Sequence, residues 1–267
     1  MNQNWIVKQA LANVEQWDSS LTSYYPDTQR WMNDPEAYLQ RLVVECNYLN
    51  AVKQLDWTKY LNPGSTVLDM GCGGGWLSAY LSAMPQVEKV VSIDSSQNYL
   101  DNFLPAVVQK LNGDISKIET IQGFFSPLMY ADKSLDVLVI SSALHHADNI
   151  ASTMKEYERV LKPGGWLIIL NETPASGARY IFSVSKVFTT ILLDTVTQKY
   201  RSSVKKISAG GFLYDPYLGD VDYPVWYWKK AISDAGFKLE KIHLTGLATV
   251  VGKKGRELTH FICRKPA

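Results

Sequence analysis

Asp69, Gly71, Gly73 and Gly75 place an acid beside backbone that no side chain crowds. Glycine has no Cβ, so this stretch can turn tightly and let a ligand reach the main chain. An acid inside such a turn repels a pyrophosphate and suits a cationic amino acid. Asp94 closes an apolar run roughly twenty residues later, where a carboxylate accepts both hydroxyls of a ribose. Its second reading is a helix cap, since Asp94-Ser95-Ser96 is a capping sequence. His145, His146 and Glu172 are the candidates for taking a proton from an acceptor hydroxyl, which contributes about 10²–10⁴-fold in rate. Either histidine could serve as that base, with Glu172 as competitor. Adjacent histidines are expected to point different ways, and no further ligand spacing is evident, so no metal is expected.

These residues fall at the ends of predicted strands. Val67-Leu68 leads into the glycine turn, and helical spacing opens at about Trp76, giving strand, turn, helix. Further strands are predicted at 89–94, 118–122, 136–141 and 166–170, with helices at 96–111 and 149–161. A helix from Pro224 to Gly236 and strands at 238–244 and 258–264 complete the chain. Asp69, Asp94, His145 and Glu172 thus share the carboxyl edge of one open sheet, where α/β folds hold ligands. Helices are predicted over 5–20 and 34–56, and residues 178–200 carry Ile181, Val184, Phe188, Ile191 and Leu192 at helical spacing. That last helix could be a lid, a dimer contact or a helix on a membrane surface; its Ser- and Thr-rich polar face favours lid or dimer. Tyr24 and Tyr25 before it in the chain, and Tyr214 and Trp226 after it, are the aromatic candidates for substrate contact.

Composition narrows the function classes. The chain has 267 residues, 46% hydrophobic, with a formal net charge of +1. No basic stripe is present to neutralise phosphates, so nucleic acid is not the expected partner. Cys46, Cys72 and Cys263 are scattered and odd in number, which suits reduced thiols in a cytoplasmic protein. The polar start Met1-Asn2-Gln3-Asn4 does not read as a signal peptide. No run of about eighteen apolar residues suggests a membrane span. Aromatic residues make up 12%, which suits a pocket for an organic ligand.

The stretch Asp69-Met70-Gly71-Cys72-Gly73-Gly74-Gly75 resembles the first motif of the class I S-adenosylmethionine-dependent methyltransferases, acid-x-Gly-x-Gly-x-Gly. A dinucleotide fingerprint would put its third glycine where Trp76 stands. Ser141-Ser142-Ala143-Leu144-His145-His146 and Leu161-Lys162-Pro163-Gly164-Gly165 are similar to later phrases of the small-molecule, type 11-like branch. The resemblance covers about 61–173 by motif and 223–265 by order of elements. It implies a Rossmann-like α/β fold: a seven-stranded, mostly parallel sheet with helices on both faces. Residues 61–174 and 223–267 would form this core, 1–60 a helical cap, and 175–222 a helical insertion. It also implies that Asp69, Gly71, Cys72, Gly73, Gly75, Asp94, Ser95, Gly123, Phe124, Phe125 and Ser141 surround S-adenosylmethionine. The family often has Gly-Asp at the adenine; this chain has Gly123-Phe124, which points to backbone groups and aromatic packing there. The Asn/Asp-Pro-Pro-Tyr phrase of enzymes that methylate base amines and glutamine amides is missing. The implied activity is methyl transfer to a small-molecule hydroxyl, on a natural product or sugar, leaving S-adenosylhomocysteine. The alternatives are a regulator or non-methylating enzyme that binds the same cofactor, a nicotinamide-dependent oxidoreductase, and a nucleic-acid methyltransferase.

Overall fold

The computed structural model describes residues 3–5, 32–197, 206–207, 211–214, 220–249 and 256–267. The elements in chain order are β1 (Gln3–Asn4), α1 (Pro35–Leu39), α2 (Tyr48–Val52), β2 (Ser65–Met70), α3 (Trp76–Ser82), β3 (Val87–Asp94), α4 (Leu104–Lys110), β4 (Ile118–Gln122) and β5 (Leu135–Ser141). There follow α5 (Ile150–Val160), β6 (Leu161–Glu172), α6 (Gly177–Thr197), β7 (Lys206–Ile207), β8 (Leu213–Tyr214), β9 (Val221–Asp222), α7 (Val225–Asp234), β10 (Lys238–Ala248) and β11 (Glu257–Arg264).

The main sheet has the order β1-β4-β3-β2-β5-β6-β11-β10. From β1 through β6 all pairs are parallel; β11 and β10 join antiparallel. The seven predicted strands are thus present, and Gln3–Asn4 adds an eighth at the edge. The central strands are apolar on both faces, as strands covered from both sides must be. Val67, Val90, Val139 and Ile168 join Trp76, Leu81 and Phe103 on one face. Leu68, Val91, Leu138 and Ile169 join Met154, Tyr157 and Trp228 on the other. Strand order reverses about β2, which pairs with β3 on one side and β5 on the other. Ligands of open α/β sheets bind at such a switch point, outside the carboxyl ends of the strands.

Three expectations are corrected. Residues 34–56 do not form one helix: α1 runs on through a wider π-type turn at Gln40–Glu45 and breaks at Asn47, whose φ is 59°. Asn tolerates this left-handed conformation better than most residues, so it can reset the chain direction. The insertion is not only helical, because β7, β8 and β9 form a separate antiparallel sheet. Strands of two residues leave no periodicity to read. Of the residues at helical spacing on α6, Ile181, Phe188 and Leu192 are exposed. The turn predicted at Lys162–Gly165 lies inside β6, with Gly164 at φ 77°. The helix predicted over 5–20 lies outside the described residues except for its first position. Trp5 there follows β1 and donates its N–H to the Gln122 carbonyl at 2.7 Å.

Candidate active site

The glycine turn leaves β2 at its carboxyl end. Gly71 has φ 63°, and a Cβ on it would lie 2.9 Å from Ala143 Cβ and 3.0 Å from the Phe125 ring. Gly75 has φ 80°, and a Cβ there would lie 2.7 Å from Leu104 Cγ. Left-handed backbone and close packing together demand glycine at both positions. Asp69 turns under the turn instead of into the cleft. It is 1% exposed, and its Oδ2 accepts from the Ser78 hydroxyl at 2.6 Å. Burial raises its pKa to about 7, partly offset by that hydrogen bond. The Cys72 side chain also faces inward, among Ala79, Leu100 and Leu104.

Asp94, at the tip of β3, accepts from Gly73 N–H at 2.8 Å and from Ser96 N–H at 2.9 Å. One oxygen caps the following segment, as the second reading has it, and the other holds the glycine turn. A carboxylate has about four acceptor sites, so these two bonds leave capacity for ribose hydroxyls. Gly74 N–H donates to Tyr38 Oη at 2.8 Å, from α1. Two amides of the turn thus already have protein acceptors, which removes the donors a pyrophosphate needs. Ser95, Gly123, Phe124 and Phe125 lie at the neighbouring ends of β3 and β4. Gln122 ties them together by donating to the Ser95 carbonyl at 3.1 Å. A Cβ on Gly123 would lie 3.4 Å from the Trp5 ring, so Trp5 joins the aromatic side of this region. The set suits S-adenosylmethionine: a carboxylate for the ribose, aromatic rings for the adenine, and no free phosphate cradle.

The second half of the site lies beyond β5. Ser141 Oγ accepts from Asn171 Nδ2 at 2.9 Å, and Ser142 Oγ lies 2.8 Å from Tyr48 Oη. Ser142 has φ 48°, and the chain then enters a 3₁₀ turn over Leu144–His146. His145 Nδ1 lies 2.8 Å from Glu172 Oε2, at the end of β6. Asp220, just before β9, brings Oδ1 to 3.6 Å from His145 Nε2 and 3.2 Å from His146 Nδ1. The two histidines do not point apart as expected; their ring centroids are 4.3 Å apart. Opposite directions belong to extended strand, and this segment has left the strand. Burial alone would lower the His145 pKa, but the Glu172 and Asp220 carboxylates outweigh it and hold it well above the ordinary histidine value. Glu172 is 2% exposed, and its Oε1 has no hydrogen-bond partner among the described residues.

A cavity of about 470 Å³ opens here, lined by Tyr48, Ser142, His145, Glu172, Tyr223 and Arg256 among others. Arg256 holds Asp222 of β9 by two contacts at 2.5 and 3.2 Å, fixing the insertion beside the cavity. Of the aromatic candidates, Tyr24 and Tyr25 lie outside the described residues, as does the side chain of Tyr214. Trp226 is 55% exposed and packs near Phe212, not at the cavity. Tyr223 and Trp228 form the aromatic wall instead. Sequence reasoning missed Tyr38, Tyr48, Ser142, Asn171, Asp220 and Arg256. Asn171 and Ser142 adjoin motif residues and could have been suspected; the others carry no local signal. A second hollow, of about 480 Å³ around Tyr60, Asp136 and Lys162, lies at the opposite ends of the strands, away from these groups.

Residues 68–169 match the family described as methyltransferase domain. Over these residues the chain is similar to a methyltransferase domain. The demethylmenaquinone methyltransferase of Staphylococcus saprophyticus is 31% identical over 108 residues, 40% of this chain and 44% of that protein. The protein of the same name from Lysinibacillus sphaericus is 31% identical over 125 residues, 46% of this chain and 51% of its own. The chain spans about half the length of these relatives. The fold matches an S-adenosylmethionine-dependent methyltransferase from Mesorhizobium loti with a TM-score of 0.54 at 17% identity, over 84% of this chain and all of that one. A similar enzyme from Aquifex aeolicus gives 0.53 at 18%, over 90% of this chain and 98% of that one. Among the described residues, no helix of the domain or its additions is long and apolar enough to cross a membrane.

Proposed function

We propose that the protein transfers a methyl group from S-adenosylmethionine to a hydroxyl of a small organic molecule, such as a natural product or sugar. The observation that carries this reading is the His145–Glu172 pair in a cavity at the same sheet edge as Asp94 and the glycine turn. S-adenosylmethionine, when bound, supplies a methyl on a positively charged sulfur and leaves as S-adenosylhomocysteine. Asp94 anchors the ribose, and Asp69 supports the turn from beneath. The cavity holds the acceptor in line and keeps water out; such positioning supplies roughly 7–11 kcal/mol where geometry is good. His145 in its neutral form takes the hydroxyl proton through Nε2 as the oxygen takes the methyl, and because the two carboxylates hold its pKa up, that form grows as pH rises. Glu172 holds the ring through Nδ1 and balances the imidazolium.

A second reading has the hydroxyl on an aromatic ring. Loss of its proton then also activates ring carbon; carbon takes the methyl and gives up its own hydrogen as a proton, while the oxygen regains one and the ring becomes aromatic again. The names of the relatives and the Tyr223–Trp228 wall favour it. Both readings use the same base.

Calorimetry with S-adenosylmethionine and S-adenosylhomocysteine tests the cofactor half. Micromolar binding to the wild type, weakened at least tenfold in Asp94→Ala, is the expected outcome; failure of both ligands to bind, alone and with acceptors present, would sink the reading. Turnover with a panel of sugars, phenols and hydroquinones, with product analysis, separates oxygen from carbon methylation.

A further inference from the structure

We propose that His145, His146 and Asp220 form a binding site for one zinc-class divalent ion, shared between the sheet edge and the insertion. One donor atom from each residue lies within 4.8 Å of the other two, and among the described residues this is the one such set of three. The short separations are 3.2 Å, from His146 Nδ1 to Asp220 Oδ1, and 3.6 Å, from His145 Nε2 to the same oxygen. A tetrahedral zinc ion with bonds near 2.0–2.1 Å keeps its ligands about 3.3–3.4 Å apart. The two separations bracket that edge, so an ion could enter with small side-chain adjustments.

The donor set selects the metal. Two imidazoles and a carboxylate suit zinc, cobalt or nickel, whereas magnesium and calcium prefer oxygen alone. The outer contacts fit as well. Glu172 Oε2 sits on His145 Nδ1, which turns Nε2 toward Asp220, where an ion would take the place of the ring proton, and a carboxylate behind a metal-bound histidine is the common supporting partner. Glu172 is itself buried behind the ring, and Asp220 supplies a second carboxylate on the side of Nε2. Three protein ligands leave a fourth position, and His145 and Asp220 both line the cavity, so that position opens toward it. Because Asp220 belongs to the insertion and the histidines follow β5, a bound ion would staple the insertion to the core.

The test uses the full chain, stripped with a chelator and dialysed. Zinc chloride is titrated in by calorimetry, and cobalt chloride by visible absorption, where tetrahedral cobalt gives intense bands. One ion per chain at micromolar affinity, with tetrahedral cobalt bands, is expected. His146→Ala and Asp220→Asn should each weaken it at least tenfold, with circular dichroism confirming that the variants remain folded. No binding, octahedral cobalt spectra, or equal affinity in both folded variants would overturn the proposal. If one variant misfolds, the other decides. None of these readouts depends on an acceptor or on methyl transfer, so the metal site and the proposed function fail separately.

Discussion

At the residue scale, the proposed function puts its chemistry on one imidazole. His145 Nδ1 is committed to Glu172, and Nε2, beside Asp220, is the nitrogen on the side of the cavity that an acceptor would meet. Gln in place of Glu172 fits the space but cannot balance an imidazolium. We expect Glu172→Gln to lower kcat about 10²–10⁴-fold, the usual worth of a general base, with little change in cofactor affinity. Steady-state kinetics and calorimetry on the same preparations check both halves. The zinc-class ion proposed above would use the same Nε2 lone pair. Turnover should therefore fall as zinc is added to chelator-treated protein and return with excess chelator; a rise with zinc would show instead that the ion activates the hydroxyl. Asp94, Glu172 and the histidines were legible because each ends a strand beside a local motif. Tyr38, Tyr48 and Asp220 were not, because nothing within their own neighbourhoods distinguishes them from packing or loop residues.

At the element scale, the site depends on junctions. The entry to α3 needs Gly75, since a side chain there would meet Leu104 in a left-handed backbone. Gly75→Ala should destabilise the fold by about 2–4 kcal/mol, adding the conformational cost to that of overpacking. Urea denaturation measures this directly. The insertion depends on Arg256, which joins β9 to the segment leading into β11 through Asp222 and also donates to the Thr173 carbonyl at 3.3 Å. In Arg256→Met the partly buried Asp222 would lose its cation. Hydrogen exchange at 220–222 should accelerate, and kcat/KM should fall more than cofactor affinity, because Asp220 and the cavity wall move with β9. The insertion was predicted as helical because α6 has a readable period; its short strands take their conformation from pairing with each other.

At the scale of the whole molecule, the buried imidazole of His260 links stability to pH. Its Nδ1 accepts from Asn171 N–H at 3.0 Å, which requires the neutral ring with its proton on Nε2. Burial lowers its pKa to about 4, while the unfolded chain protonates near 6.5. The unfolded state thus binds more protons below pH 6.5, and stability falls as pH drops from about 6.5 toward 4. The full effect is about 3 kcal/mol once pH is below the folded value. Urea midpoints at pH 7 and pH 4.5 should differ less in His260→Gln than in the wild type, since glutamine offers an acceptor to Asn171 without titrating.

The amino-acid sequence by itself determined the parts that are local in the chain. A glycine turn behind an apolar run, acids at strand ends and a Pro-to-Gly helix specify strand–turn–helix units, and such units stack in one way around a parallel sheet. The strand order and the ligand edge follow from that. Only the tertiary structure decided which distant groups meet there. Glu172 reaches His145 across 27 positions, Tyr38 reaches Gly74 across 36, and Asp220 arrives from an insertion with no motif of its own. Burial then decided what those groups do: it turned Asp69 beneath the glycine turn and packed Cys72 into the core. It also set the buried Glu172 and the half-buried Asp220 around a pair of histidines.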